Sequence, residues 1–154
     1  MGWTLQEGEL DRADLRALLA VHFAAMRAGL PPSACHVIPA EALADPAIRL
    51  FNVRDESGDL LGCGALKRLA PDHSEIKSLR TADAALGRGA GRRILNHLVA
   101  TAQVAGMRRL SLETGTGDLF VAANRLYKRA GFERRAPFGG YVATPFTRFF
   151  TKLL

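Results

Sequence analysis

Apolar residues change their spacing several times along this 154-residue chain, and each change marks an element. A short apolar stretch at residues 3–5 predicts a strand. From Leu15 the spacing turns helical, with Leu15, Leu18, Leu19, His22, Phe23 and Met26 on one face. Asp11 is the expected N-cap, and the acidic residues between Glu9 and Asp14 suit the positive end of a helix dipole. Gly29 is the expected stop, because Leu30 precedes Pro31-Pro32 and is pushed away from helical dihedrals. Residues 31–38 read as a loop and 39–43 as a short helix.

Residues 48–53 predict a strand, Glu56-Ser57-Gly58-Asp59 a hairpin turn, and 60–69 the returning strand, with Gly62 and Gly64 marking thin spots or bulges. Residues 75–81 alternate around Ile76 and Leu79 as a third strand. The period then lengthens: Ile94, Leu95, Leu98, Val99 and Ala102 share one face of a helix over 89–105, ended by Gly106. A strand at 109–114, a helix at 119–130 ended by Gly131, a strand from Phe132 and a last strand at 147–153 complete the chain. The order β-α-(α)-β-β-β-α-β-α-β-β, hairpins first and crossovers later, predicts an α/β (α+β) fold with a mixed sheet. No repeat, low-complexity tract or linker divides it, so residues 1–154 are expected to form one domain.

Composition narrows the class. With 48% hydrophobic and 23% charged residues the chain can bury a core without disulfides or a structural metal, and wholesale disorder is excluded. No run approaches the 18 apolar residues of a membrane span, and the first ten residues lack the pattern of a signal peptide; a cytoplasmic chain is expected. Cys35 and Cys63 form no CxxC and have no histidine at ligand spacing, so they read as packing residues and no metal site is expected. The net charge is +6, yet the arginines are scattered, densest only at Arg88/Arg92/Arg93, Arg108/Arg109 and Arg134/Arg135. No basic run interleaved with aromatics tracks a nucleic-acid strand, so that partner is not favoured.

The chemistry concentrates in Leu86-Gly87-Arg88-Gly89-Ala90-Gly91-Arg92, a few residues after a strand and at the start of a helix. Glycines there let a ligand approach the backbone, and N–H groups at a helix start point at anionic oxygens: physically, a pyrophosphate cradle. The spacing fits neither GxGxxG after a tight turn nor GK[ST], which disfavours Rossmann and P-loop sites. Taken with a second helix ending in Leu126-Tyr127-Lys128-Arg129-Ala130-Gly131-Phe132, the segment from about His73 to Phe132 resembles the GNAT N-acetyltransferase superfamily. Further stretches are similar to its YsnE-type branch of small bacterial acetyltransferases: Cys35-His36-Val37-Ile38-Pro39, Gly62-Cys63-Gly64-Ala65-Leu66, Glu75-Ile76-Lys77-Ser78, Arg109-Leu110-Ser111-Leu112-Glu113-Thr114-Gly115 and Pro137-Phe138-Gly139.

The resemblance implies a GNAT-like acyl-CoA N-acyltransferase fold, with acetyl-CoA bound where two parallel strands splay apart. The main chain from Leu79 to Thr81 would meet the pantetheine arm, and Gly87, Arg88, Gly89, Ala90, Gly91 and Arg92 would hold the pyrophosphate. Transfer to an amine is expected to be direct. Tyr127 matches the family tyrosine beside the sulfur and is assigned general acid; Glu75 matches the base glutamate of histone-acetylating relatives, while His36 or a water remains open for that role. His36, Arg80, Thr114 and Tyr141 are candidates for the acceptor site, with Glu113 beside them.

Two departures from the family pattern stand out. Leu86 replaces the usual Gln or Arg opening the phosphate motif, leaving charge to Arg88 or Arg92, and Phe120 replaces the common Asn seven residues before the tyrosine. The expected activity is acetylation of a small-molecule amine. Alternatives are acetylation of a protein or aminoacyl-RNA amine, and a non-catalytic acyl-CoA sensor. A homodimer is common in the superfamily.

Overall fold

Seven strands and three α-helices follow the expected order in a computed structural model that describes residues 2–154. They are β1 (Thr4–Glu7), α1 (Ala13–Gly29), β2 (Ile48–Arg54), β3 (Leu60–Ala70), β4 (His73–Thr81), α2 (Ala90–Val104), β5 (Arg109–Gly115), α3 (Val121–Arg129), β6 (Glu133–Arg135) and β7 (Thr147–Leu153). The strands form one mixed sheet in the order β1-β2-β3-β4-β5-β7-β6. Consecutive strands pair antiparallel from β1 to β4, and β7 lies antiparallel between β5 and β6.

Each face of the sheet buries an apolar layer. On one, Ile94, Leu95 and Leu98 of α2 pack with Phe51, Leu66, Ile76, Leu110, Leu112, Tyr127 and Phe150. On the other, Leu15, Leu18 and Leu19 of α1 pack with Leu43, Leu50, Cys63 and Ala65. Each fully buried leucine contributes about 1.5–3 kcal/mol, so these two layers set where the helices lie. Gly62 is there for close approach: a Cβ on it would stand 2.8 Å from both the Arg80 carbonyl and Ile94 Cδ1.

The site depends on how β4 meets β5. They pair in parallel only at His73–Arg109, Ser74–Leu110 and Glu75–Ser111. Hydrogen bonds of 2.7 Å between His73 Nε2 and Ser111 Oγ and 2.8 Å between Ser111 and Thr151 pin this closed end. Beyond Glu75 the strands no longer pair. Register between β3 and β4 passes from Ala65–Lys77 to Cys63–Arg80, so Gly64 faces two β4 residues, and Ser78 takes a φ of 55°. Such a bulge bends its strand and adds twist.

The structure adjusts several expectations. Asp11 lies outside the helix start: α1 opens with Arg12 at its cap position and no side-chain cap. Asp14 instead binds the buried guanidinium of Arg54, which joins the start of α1 to β2. The expected short helix is a 3-10 turn at Ala40–Ala44, and a second turn, Pro32–Ala34, interrupts the expected loop. A bulge does fall beside Gly62, where Leu60 and Gly62 of β3 oppose Arg54 and Val53 of β2, and a second lies in β4 opposite Gly64. The third strand begins at His73, and the last helix is preceded by a 3-10 turn, Asp118–Phe120. Cys35 and Cys63 are free, and burial pushes the Cys63 thiol up to about 12, which makes it unreactive at neutral pH.

Candidate active site

The glycine turn is shaped by backbone alone. Gly87 and Gly89 take φ values of 77° and 88°, a region that costs an L side chain about 1–2 kcal/mol. Gly89 is the N-cap of α2 and has no side-chain cap bond. The ladder begins with Arg93 N–H donating to the Gly89 carbonyl, so the amides of Gly89, Ala90, Gly91 and Arg92 are left for a ligand, while the Arg88 amide already donates to the Ala85 carbonyl. A Cβ placed on Gly87 or Gly89 meets no protein atom within 4 Å, so the space over the turn is open. The first turn of α2 holds no acid but does hold Arg92, a charge that suits the end of a helix poorly unless an anion arrives there. These features fit a pyrophosphate.

From that end, β4 leads inward. Leu79, Arg80, Thr114, Glu75, His36 and Tyr127 line one cavity of about 170 Å³ in the opening between β4 and β5. Ile76 packs into the layer beneath α2, so strand alternation turns Glu75 and Lys77 to the opposite face. Leu112 does the same for Glu113 on β5.

On that face five side chains interlock. The Tyr141 hydroxyl donates to Glu75 Oε2 at 2.6 Å, and Lys77 Nζ donates to the same oxygen at 3.3 Å. Lys77 also donates to the Tyr141 oxygen at 3.0 Å and to the His36 carbonyl at 3.3 Å. Glu75, only 2% exposed, is therefore compensated where it lies. Burial and the bond to Glu75 push the Tyr141 phenol upward. His36 stacks on Tyr141 with ring centroids 4.8 Å apart, and its Nδ1 lies 2.8 and 3.0 Å from the two Glu113 oxygens. A carboxylate only accepts, so Nδ1 carries the proton and Nε2 of the neutral ring is left as an acceptor. Burial pushes the Glu113 carboxyl up, against the pull of His36 and Lys77.

The expected site residues separate into two groups. Glu75, His36, Arg80, Thr114, Leu79 and Tyr127 meet at the cavity, and Tyr141 joins through Glu75. Gly87, Arg88, Gly89, Ala90, Gly91 and Arg92 lie apart, at the start of α2. Thr81 connects the groups: its Oγ1 is 3.2 Å from where a Cβ on Gly91 would stand. Arg88 has its guanidinium 5.5 Å over the Trp3 ring. Tyr127 is buried against Phe132 and Phe150, and burial pushes its phenol up to about 12.

Sequence reasoning missed Lys77 and His22. Lys77 is two residues after Glu75 on a strand, hence on the same face, and that spacing was the available signal. His22 counted as a member of the apolar stripe of α1. It is 8% exposed, lines the cavity and has a buried Nδ1 with no hydrogen-bond partner; burial first, then the charges of Arg80 and Lys77, push its pKa down to about 4.

A mixed sheet whose parallel pair opens over a glycine-started helix defines an acyltransferase scaffold, and comparison with known proteins gives the family. The Acetyltransferase (GNAT) family profile matches residues 16–132. The chain belongs to that family, and its enzyme class is N-acetyltransferase, as the resemblance implied. It is 38% identical over 152 residues to the uncharacterized N-acetyltransferase YedL of Escherichia coli K12, covering 99% of this chain and 95% of YedL. It is 38% identical over 146 residues to the uncharacterized N-acetyltransferase YsnE of Bacillus subtilis 168, covering 95% and 96%. A solved acyl-CoA N-acyltransferase-type chain from Klebsiella pneumoniae superposes with a TM-score of 0.79 at 27% identity, over 99% of this chain and 97% of that one. A Bacillus subtilis acetyltransferase solved in complex with CoA shares the fold with a TM-score of 0.73 at 16% identity, over 99% of each chain. No helix of the described residues is long and apolar enough to cross a membrane.

Proposed function

We propose that this enzyme moves the acetyl group of acetyl-CoA directly to a primary amine of a small molecule. The observation that carries the reading is the opening between β4 and β5, which joins a ligand-ready helix start to a small cavity holding a His36–Glu113 pair. The cavity is below the roughly 300–1,000 Å³ of drug-sized sites, which supports a small acceptor. The CoA held by the Bacillus subtilis protein of the same fold supports the donor.

In this reading the amides at the start of α2, with Arg88 and Arg92, hold the pyrophosphate, and the freed main chain of Leu79 to Thr81 holds the pantetheine arm. The acceptor ammonium first loses a proton. His36 Nε2 receives it, because Glu113 fixes the tautomer that leaves that nitrogen as acceptor. Glu75 already accepts from Tyr141 and Lys77, and its work is to hold those two groups in place under the acceptor. The amine nitrogen then attacks the thioester carbonyl, and the carbon–sulfur bond breaks.

Tyr127 meets the departing sulfur. At about 12 its phenol keeps its proton at neutral pH, yet it is less acidic than an ordinary thiol near 8.5. Complete transfer to the thiolate is therefore uphill by about 3.5 pKa units, and Tyr127 stabilises the leaving group as a hydrogen-bond donor, with the final proton coming from solvent. The deciding experiment is calorimetric titration with acetyl-CoA followed by an amine panel assayed for free thiol. Micromolar binding with turnover of small amines is the expected result. Binding without turnover on any amine would leave an acyl-CoA sensor, and no binding would remove the donor from the reading.

A further inference from the structure

The charged groups lining the cavity are not all paired. Two carboxylates face it, Glu75 and Glu113, and each has its own partner: Lys77 Nζ at 3.3 Å and His36 Nδ1 at 2.8 Å. Arg80 also lines the cavity and forms no ion pair among the described residues. It is aligned with Cys63 of β3, whose side chain belongs to the layer beneath α1, so Arg80 lies toward the α1 wall. His22 of α1 lines the same cavity, close enough to feel the Arg80 charge. A guanidinium without an acceptor at the wall of a cavity is a site for an anion. Met26 and Leu30 of the α1 segment, with Ile38, line the same cavity and offer apolar surface to a carbon skeleton.

We propose that the acceptor is an amino-carboxylic acid whose carboxylate is held by Arg80, with His22 beside it, while its amine is presented to His36. This rests on the amine-acetylation reading above and names the substrate class within it. The carboxylate gives the Arg80 guanidinium the acceptor it lacks.

Matched acceptors test it: amino acids such as glycine, glutamate and phenylalanine, each set against its amide and its decarboxylated amine. The wild-type enzyme is expected to favour the acid in kcat/KM by at least about 30-fold, an ordinary value for a charge-assisted pair. Arg80→Ala is expected to raise KM for the acid by a similar factor with a smaller change in kcat, and Arg80→Lys to recover part of the loss. The same contact has a readout that needs no turnover. Calorimetry of the N-acetylated acid should show binding that Arg80→Ala weakens about 30-fold, with the N-acetylated amide binding no better to the wild type than to that variant. Amides and plain amines used as well as the acids, or an unchanged KM in Arg80→Ala, would overturn the carboxylate site while leaving small-amine acetylation intact. Turnover of none of these compounds, with acetyl-CoA binding retained and no N-acetylated acid bound, would overturn both.

Discussion

The start of α2 and the cavity beside α1 hold two ends of one proposed reaction, and they are built in opposite ways. The proposed cradle is six consecutive residues, Gly87 to Arg92, whose backbone is set by two positive φ values. The acceptor cavity draws on α1, the 31–39 loop, β4, β5 and the segment before β7, and its donors and acceptors are side chains. A local device tolerates changes elsewhere in the fold, whereas a distributed one moves whenever any of its supports moves. The difference teaches where variation is cheap: the cradle requires particular backbone dihedrals, and the cavity can acquire a new acceptor by exchanging one side chain.

The largest expected effect comes from filling the cradle. Gly89→Glu places a strained, anionic side chain where nothing now stands, and acetyl-CoA affinity should fall about a thousandfold, roughly 4 kcal/mol, by calorimetry. Melting should fall by only a few degrees, from about 1–2 kcal/mol of backbone strain, since the added atoms face open space. Retained affinity would break the comparison at once. On the other side, His36→Ala should lower kcat about 10²–10³-fold while acetyl-CoA affinity stays as it was. A change in affinity of the same size would mean that the two regions act as one.

A third expectation concerns the α1 wall. His22 titrates near 4 in the folded protein against about 6.5 unfolded, so between those values the unfolded chain binds the extra proton. Stability therefore falls as pH drops from about 6.5 to 4, by up to about 3 kcal/mol from this one group. Urea unfolding of the wild type and His22→Gln across that window should show the difference closing toward low pH. Parallel curves would contradict a buried neutral imidazole beside Arg80 and Lys77. Tyr127→Phe carries the smallest effect, about tenfold in kcat or roughly 1.4 kcal/mol, with affinity unchanged, because a hydrogen bond rather than a proton transfer is lost.

Much of the architecture was legible before any coordinates. Ile94, Leu95, Leu98 and Ala102 marked the buried stripe of α2, and all four are buried. The alternation around Ile76 and Leu79 marked β4, and Gly87 and Gly89 marked a turn that needs positive φ. The signals that failed were those decided by distant partners. Asp11 had the chemistry of a cap, but the helix opens later, and Asp14 is drawn to Arg54, 40 positions away. The run from Phe132 pointed to a strand but not to its place at the sheet edge, beyond β7. Lys77 was visible in the sequence, yet its role appears only when Tyr141, 64 positions on, comes within 3.0 Å.

What the sequence by itself determined about this protein is its set of elements, its family and the glycine turn that opens α2, because each rests on residues a few positions apart, where periodicity and backbone dihedrals act. The tertiary structure alone decided which carboxylate is compensated, which histidine keeps an open nitrogen and which arginine lacks a partner. Those properties depend on charge, desolvation and hydrogen bonds between side chains tens of positions apart, and such terms take a value only when the sheet has brought Glu75, His36, Glu113 and Arg80 around one cavity.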